Sequence, residues 1–118
     1  SGSTVRLPRQ IPWTVAMDML LVGDPISGRR AYEIGLVGHV VADGEALKRA
    51  RELADRVAAN GPLAVRNIKA SVLAAETLPE LDAYKREEEL GMAVMSSSDA
   101  KEGPKAFLEK RAPNFTGT

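Results

Sequence analysis

The sequence predicts a mostly α-helical fold with at most one short strand, near residues 37–41. Along most of the chain, apolar residues recur at intervals of three and four, which is the spacing of one helix face. Glycine or proline follows most of these stripes, as is typical where helices end. Aromatic residues make up only 4% of the chain, so the core must be built from smaller aliphatic side chains, which favours close helix packing.

Composition excludes several classes of function. The 118 residues are enough for one domain, and 16 basic and 16 acidic side chains cancel, which disfavours nucleic acid and anionic membranes as partners. No apolar run reaches the roughly 20 residues that span a bilayer, and the start does not resemble a signal peptide, so we expect a soluble cytoplasmic protein. The absence of cysteine and the single histidine exclude thiolate chemistry and a multi-histidine metal site, and we expect no metal.

The first third of the chain predicts two short helices. A segment at residues 4–9 stops at Pro12. One apolar helix face follows and ends at Gly23: Trp13, Ala16, Met17, Leu20 and Leu21. Ser27 can cap a second helix, which Gly35 ends. The β-branched stretch at 37–41 then predicts an extended segment or short strand, which would need a partner strand from elsewhere.

The remaining chain predicts four helices. One covers residues 43–60 up to Asn60-Gly61, and another begins at Pro62 and ends before Pro79, so we expect these two to form a helical hairpin. A longer helix runs from Pro79 to about Met95. In the last helix, Asp99 and Glu102 have the spacing of a capping-box variant at its start.

Few side chains are candidates for chemistry. His39 titrates near neutral pH, yet no Asp, Ser or Cys pattern surrounds it, which favours an exposed histidine at a strand edge over a general base. Residues 87–89 are three glutamates, but neighbours on a helix point about 100° apart, so a solvated face is favoured over an acid/base pair. Glu88 interrupts the apolar stripe and is the member that could pair with a basic group. No catalytic residue is predicted in this chain.

Phe107 and Lys110 form the one basic and aromatic pair of interest. The paired bases Arg29-Arg30, Lys48-Arg49 and Lys110-Arg111 are typical of a solvated surface in a neutral protein. Lys110 follows Phe107 by three residues, so on a helix the ring and the ammonium would project to one side. The ring would then stack on a base, and the ammonium would contact a phosphate. Taken alone, Phe107 is more typical of core packing.

Five segments, in order, resemble the C-terminal half of enoyl-CoA hydratase/isomerase (crotonase) family enzymes. They are Gly2–Arg9, Ala16–Ser27, Ala31–Val37, Asn60–Lys69 and Ser98–Arg111. The first is similar to the family's Gly-Gly-Thr-x-Arg-Leu-Pro-Arg, and the last to its Glu-Gly-x-x-Ala-Phe-Leu-Glu-Lys-Arg. In the second motif Gly28 stands where the family usually has alanine. The resemblance covers essentially the whole chain.

The resemblance implies that the chain is the helical C-terminal part of a crotonase-like α/β fold whose ββα spiral lies outside residues 1–118. In that family, two backbone N–H groups polarise the thioester carbonyl, and two glutamates add water to a 2-enoyl-CoA. Both glutamates precede this stretch, so the chain alone would be inactive. Phe107 and Lys110 match positions that reach the coenzyme A of a neighbouring subunit, and coenzyme A is part of the substrate rather than a separate cofactor.

Two further functions stay open beside the hydratase hypothesis, which includes isomerase and related reactions. One is a non-catalytic helical oligomerisation module, and the other is a nucleic-acid-binding domain, which zero net charge disfavours. Without the spiral, the apolar faces of four residues would lack cover: Trp13, Leu20, Leu21 and Met95. We therefore expect an oligomer, and the resemblance implies a homotrimer or hexamer.

Overall fold

The computed structural model describes residues 2–118, which divide into two compact units. The first unit ends at Ala50, and the second is Arg51–Thr118. The described chain contains seven helices: α1 (Ser3–Gln10), α2 (Trp13–Leu21), α3 (Gly28–Glu33), α4 (Ala46–Ala58), α5 (Pro62–Ala75), α6 (Glu80–Met95) and α7 (Ser98–Leu108). The predicted mostly helical fold is confirmed. No helix among these residues combines the length and apolar character needed to cross a bilayer.

No sequence pattern predicted α1, which occupies the segment before Pro12. Pro8 lies inside this helix and removes one of its hydrogen bonds, so the sequence does not predict a helix here. Packing against α2 compensates, because Ile11 between the two helices and Ala16 of α2 are both buried. Tertiary contacts here outweigh local propensity.

The predicted ends of α2 and α3 are confirmed. Gly23 follows α2 with a φ of 80°, a conformation that glycine adopts without steric cost. Ser27 caps α3, since its Oγ accepts the backbone N–H of Arg30 at 3.1 Å. At the other end, Gly35 has a φ of 78°.

Residues 37–41 contain no strand. A strand requires a neighbouring strand to accept and donate its ladder hydrogen bonds, and residues 2–118 provide none. The segment instead lies against α3, where Val40 Cγ1 is 3.9 Å from the position that a Cβ on Gly28 would occupy. The expectation of at most one strand therefore holds, with an irregular segment in its place.

The helical hairpin of the second unit is formed by α5 and α6, so the prediction that α4 and α5 would pair was wrong. The Asn67 side-chain amide donates to the Leu90 carbonyl at 2.9 Å and links the two helices. Helix α4 buries no residue, and its Leu47 and Val57 are exposed. The length of the connection does not decide the pairing, because three residues join α4 to α5 and four join α5 to α6.

Little apolar surface is buried within the chain. The buried hydrophobic residues among those described are Ile11, Ala16, Ala31 and Ala106. By contrast, Trp13 is 65%, Leu21 76% and Met95 74% exposed, and Leu20 is half-buried. The expectation that these apolar faces lack cover within the chain is confirmed.

The start of α7 differs from the predicted capping box. Ser97, which is buried, caps the helix through its Oγ, which accepts the Ala100 N–H at 3.2 Å. Asp99 and Glu102 are thereby left free to bind the segment that follows the helix. That segment, residues 109–118, is called the tail below.

Asp99 holds the far end of the tail. Its two carboxylate oxygens accept the backbone N–H groups of Thr116 and Gly117, each at 2.8 Å. Phe115 lies between Gly61, which precedes α5, and Gly103 in the middle of α7, 3.8 Å from where a Cβ on either glycine would stand. The tail is thus fixed by polar contacts on one side and by its aromatic ring on the other.

We predict that Asp99→Ala destabilises the protein by about 2 kcal/mol, because two N–H groups lose their acceptor beside a buried position. Chemical denaturation of the full-length protein measures this. Asp55→Ala, on the exposed surface of α4, is the matched control and should change stability by less than about 0.5 kcal/mol. Equal effects of the two substitutions would contradict the assigned role of Asp99.

Candidate functional site

Phe107 lies one residue before the end of α7 and is 83% exposed. The alternative that it is a core residue of this chain is wrong. Its neighbour Leu108 is 80% exposed, whereas Ala106 faces inward and is buried. An exposed ring at a helix end offers a flat apolar face on which an aromatic ligand can stack.

Lys110 lies beyond the helix, so the argument that helical spacing places it beside Phe107 was wrong. Helix α7 ends at Leu108, and Lys110 has a φ of 53°. The two residues are nonetheless linked, since the Lys110 backbone N–H donates to the Phe107 carbonyl at 3.2 Å. Both residues are exposed, at the same end of α7.

Arg111 is held by two carboxylates. Its Nη1 and Nη2 donate to the two oxygens of Glu102 at 2.5 and 2.9 Å, and its Nε donates to Glu109 at 2.6 Å. Glu102 also accepts the Asn114 backbone N–H at 2.8 Å. We call Glu102, Arg111 and Asn114 the Glu102 clamp. Sequence reasoning missed it, because the partners are nine and twelve residues apart and neither spacing marks a helix contact.

The Glu102 clamp perturbs both of its ionisable members. Hydrogen bonds from the Arg111 guanidinium, and then from the Asn114 N–H, lower the pKa of Glu102 to about 2. Hydrogen bonds to Glu102 and Glu109 raise the pKa of Arg111 above its usual range. Both groups therefore stay charged at neutral pH, which suits a fixed ion pair and not a proton donor.

An open cavity of about 310 Å³ adjoins the clamp, lined by Ser98, Asp99, Lys101, Glu102, Lys105, Asn114 and Thr116. Its two carboxylates already accept tail N–H groups or the Arg111 guanidinium. A general base needs a free lone pair within reach of substrate. The cavity is a structural junction and offers no acid/base pair.

The other candidate residues are solvated. His39 is exposed, as expected, but no strand edge carries it. The three glutamates at 87–89 are exposed on α6, where Glu89 pairs with Arg86 at 2.8 Å. Glu88 makes no ion pair within residues 2–118, so the suggestion that it pairs with a basic group was wrong. Glu33 pairs with both bases of Arg29-Arg30.

A second concave surface lies between α5 and α6. The groove has a volume of about 260 Å³ and is lined by Ala64, Asn67, Ile68, Glu87, Leu90, Gly91, Val94 and Met95. A Cβ on Gly91 would meet nothing within 4 Å, so no contact among the described residues requires glycine here. No group of three potential metal-ligating side chains converges in the described part of the chain.

Comparison with known proteins identifies relatives over nearly the entire chain. Residues 1–118 match the enoyl-CoA hydratase/isomerase family. The enoyl-CoA hydratase EchA19 of Mycobacterium tuberculosis is 57% identical over 97% of the chain, and the carnitinyl-CoA dehydratase of Salmonella typhi is 36% identical over 99%. These alignments cover 43% and 46% of the two relatives, so the chain spans less than half of their length.

A solved structure agrees with the fold. An enoyl-CoA hydratase/isomerase from Mycobacterium abscessus superposes with a TM-score of 0.95 at 54% identity, covering 99% of this chain and 48% of that one. The fold of this chain is therefore similar to that of the corresponding part of that longer protein.

The low pKa of Glu102 predicts a pH-dependent contribution to stability. With a folded pKa of about 2 and an ordinary value of 4.5, the ionised carboxylate stabilises the fold above about pH 4.5. That contribution is lost as pH falls from about 4.5 towards 2. The difference in Tm between the wild type and Glu102→Gln should be constant from pH 7 to about 5 and shrink below it.

Glu87→Gln, the same change at an exposed position on α6, is the control for loss of a carboxylate that makes no ion pair in the described chain. A Tm difference for Glu102→Gln that persists undiminished at pH 3 would show that the ionised carboxylate is not its source.

Proposed function

Because the chain belongs to the enoyl-CoA hydratase/isomerase family, we propose that the whole protein acts on acyl-CoA thioesters and adds water to a 2-enoyl-CoA in lipid metabolism. The names of both relatives above support this, since each specifies a CoA ester and the addition or removal of water. Isomerisation or another reaction of the same family is the nearest alternative.

The observation that carries the proposal is the pair of exposed groups at the end of α7. The ring of Phe107, 83% exposed, provides a surface on which the adenine of coenzyme A stacks. Lys110 supplies a compact positive charge for a phosphate of the same ligand. We propose that this pair contacts coenzyme A bound in a neighbouring subunit.

The chemical step is assigned to residues outside this chain. The carboxylates of the described residues are exposed or bound by the tail, so none is proposed as catalytic. Coenzyme A enters as part of the substrate, and no separate cofactor or metal is proposed. What residues 2–118 contribute is ligand contact and an assembly surface.

We propose that the whole protein is a homotrimer or hexamer in the cytoplasm, and the exposed apolar faces of this chain support its assembly with other protein. Trp13 and Leu21 on α2 are mostly exposed, as are Met92 and Met95 on α6, and an apolar patch on a helix face is usually covered by other protein. The same observation favours the second candidate function, a non-catalytic helical module that serves only in assembly. Activity measurements separate the two.

We predict that the full-length product of the gene hydrates a short 2-enoyl-CoA and that the 118-residue chain alone does not. Loss of the conjugated thioester absorbance measures the reaction. Activity in the short chain would contradict the location of the catalytic groups. If neither protein is active towards enoyl-CoA substrates, the assembly module is favoured.

Phe107→Ala in the full-length protein should raise the KM for the enoyl-CoA about tenfold, because one stacking interaction with a base is lost. The kcat should change little, since the adenine is remote from the reacting thioester and its binding is uniform in ground and transition states. Leu108→Ala, equally exposed at the adjacent position, is the control. A fall in kcat at unchanged KM would show that Phe107 does not bind the nucleotide.

A further inference from the structure

Lys110 has a left-handed backbone conformation that is unusual for its residue type. Its φ of 53° is the one positive value at a non-glycine position among residues 2–118. The Arg111 N–H donates to the Ala106 carbonyl at 3.1 Å, and the Lys110 N–H donates to the Phe107 carbonyl at 3.2 Å. These two bonds define a Schellman motif at the end of α7. Lys110 stands at the position where glycine is usual, since a Cβ is disfavoured there.

A strained residue persists only where its surroundings hold it. Glycine would adopt this turn without steric cost. Lysine at this position therefore provides a side chain that glycine lacks, and the strained backbone is its cost. The residue that follows is fixed at both ends. The Arg111 backbone N–H is hydrogen-bonded to the last turn of α7. The Arg111 guanidinium is bound by Glu102, which lies nine residues earlier, within α7.

The geometry of the ion pair is suited to holding a turn. A guanidinium that donates two parallel hydrogen bonds to one carboxylate fixes direction as well as distance. Here the Arg111 guanidinium binds both oxygens of Glu102, whose side chain is only 20% exposed. Glu102 belongs to α7 itself, so the clamp ties the turn back to the helix from which it departs.

We propose that Glu102 and Arg111 are positioning residues, whose ion pair holds the left-handed turn and thereby directs the Lys110 ammonium towards a phosphate of coenzyme A. The inference rests on the proposed contact between Lys110 and that ligand. A lysine has a flexible stem of four carbons, so its charge is placed only as well as its backbone is held. Releasing the turn lets Lys110 leave the strained conformation and withdraws the charge.

The competing explanation is that the clamp only attaches the tail. Asp99 offers a way to separate the two, because it binds the tail independently, at Thr116 and Gly117. It has no hydrogen bond to the turn at Lys110 or Arg111. Asp99→Asn therefore loosens the tail without releasing the turn, and it is the matched control for Glu102→Gln.

The test is calorimetric titration of the full-length protein with coenzyme A. Lys110→Met should raise the Kd about tenfold, as expected for loss of one charge-assisted contact. Glu102→Gln should raise the Kd severalfold. Arg111→Lys, which keeps the charge but loses the two parallel hydrogen bonds, should do the same. In the Lys110→Met background, Glu102→Gln should raise the Kd no further, because Glu102 acts through Lys110. Asp99→Asn should leave the Kd unchanged.

Lys110→Gly should change stability and binding in opposite directions. It should raise Tm, because glycine relieves the left-handed turn, while it weakens coenzyme A binding about as much as Lys110→Met. A lysine that served only the fold would show no such trade-off.

The results distinguish a wrong coenzyme A contact at Lys110 from a wrong positioning role for Glu102 and Arg111. If Lys110→Met leaves the Kd unchanged, the proposed coenzyme A contact of Lys110 is wrong, and the positioning role falls with it. If Lys110→Met weakens binding while Glu102→Gln and Arg111→Lys do not, the contact stands and the positioning role is overturned. Full additivity of Glu102→Gln with Lys110→Met, or an equal effect of Asp99→Asn, also overturns it. Should Glu102→Gln fail to fold, Arg111→Lys carries the same comparison.

Discussion

The described residues bury little apolar surface, and this limits how far their own contacts can stabilise the helices. Burying one isoleucine or leucine completely stabilises a fold by about 1.5–3 kcal/mol, whereas ordering the backbone costs about 1–2 kcal/mol for every residue. One buried isoleucine and three buried alanines, with the half-buried residues around them, leave the helices poorly supported by their own contacts. The exposed stripes on α2, α5 and α6 therefore leave apolar surface without cover among the described residues.

Where apolar cover is scarce, polar contacts determine local order, and α7 with its tail shows how. Asp99 and Glu102 lie one turn apart on the helix and bind opposite ends of the tail. Ser97 satisfies the helix start, so neither carboxylate is needed there. The consequence is a firm connection between the helix and the segment carrying Lys110, at the surface where the proposed ligand contact occurs.

The sequence predicted what local chemistry determines. The Ser27 cap, the glycine ends at Gly23 and Gly35, and the long helix ending at Met95 all follow from propensity and side-chain spacing within one element. The resemblance to the hydratase/isomerase family rested on ordered motifs and is borne out over residues 1–118. The exposure of Trp13, Leu21 and Met95 was also predictable, but only through the resemblance, which implies a spiral outside residues 1–118.

Distant or competing contacts were not predictable. Asp99 and Glu102 have the spacing of a capping box, and only the folded tail shows that their oxygens bind Thr116, Gly117 and Arg111 instead. The turn at Lys110 had no signal, since a left-handed helix end is normally marked by glycine or asparagine. The pairing of α5 with α6 instead of α4 depended on a choice between two similar stripes, which spacing alone does not decide.

We infer that these helices depend on apolar cover supplied from outside the 118 residues. Amide hydrogen exchange of α5 and α6 can be compared between the 118-residue chain alone and the full-length product of the gene. We expect strong protection of both helices in the full-length protein and little protection in the chain alone. Equal, strong protection in both would contradict it, because the hairpin would then be stable on its own contacts.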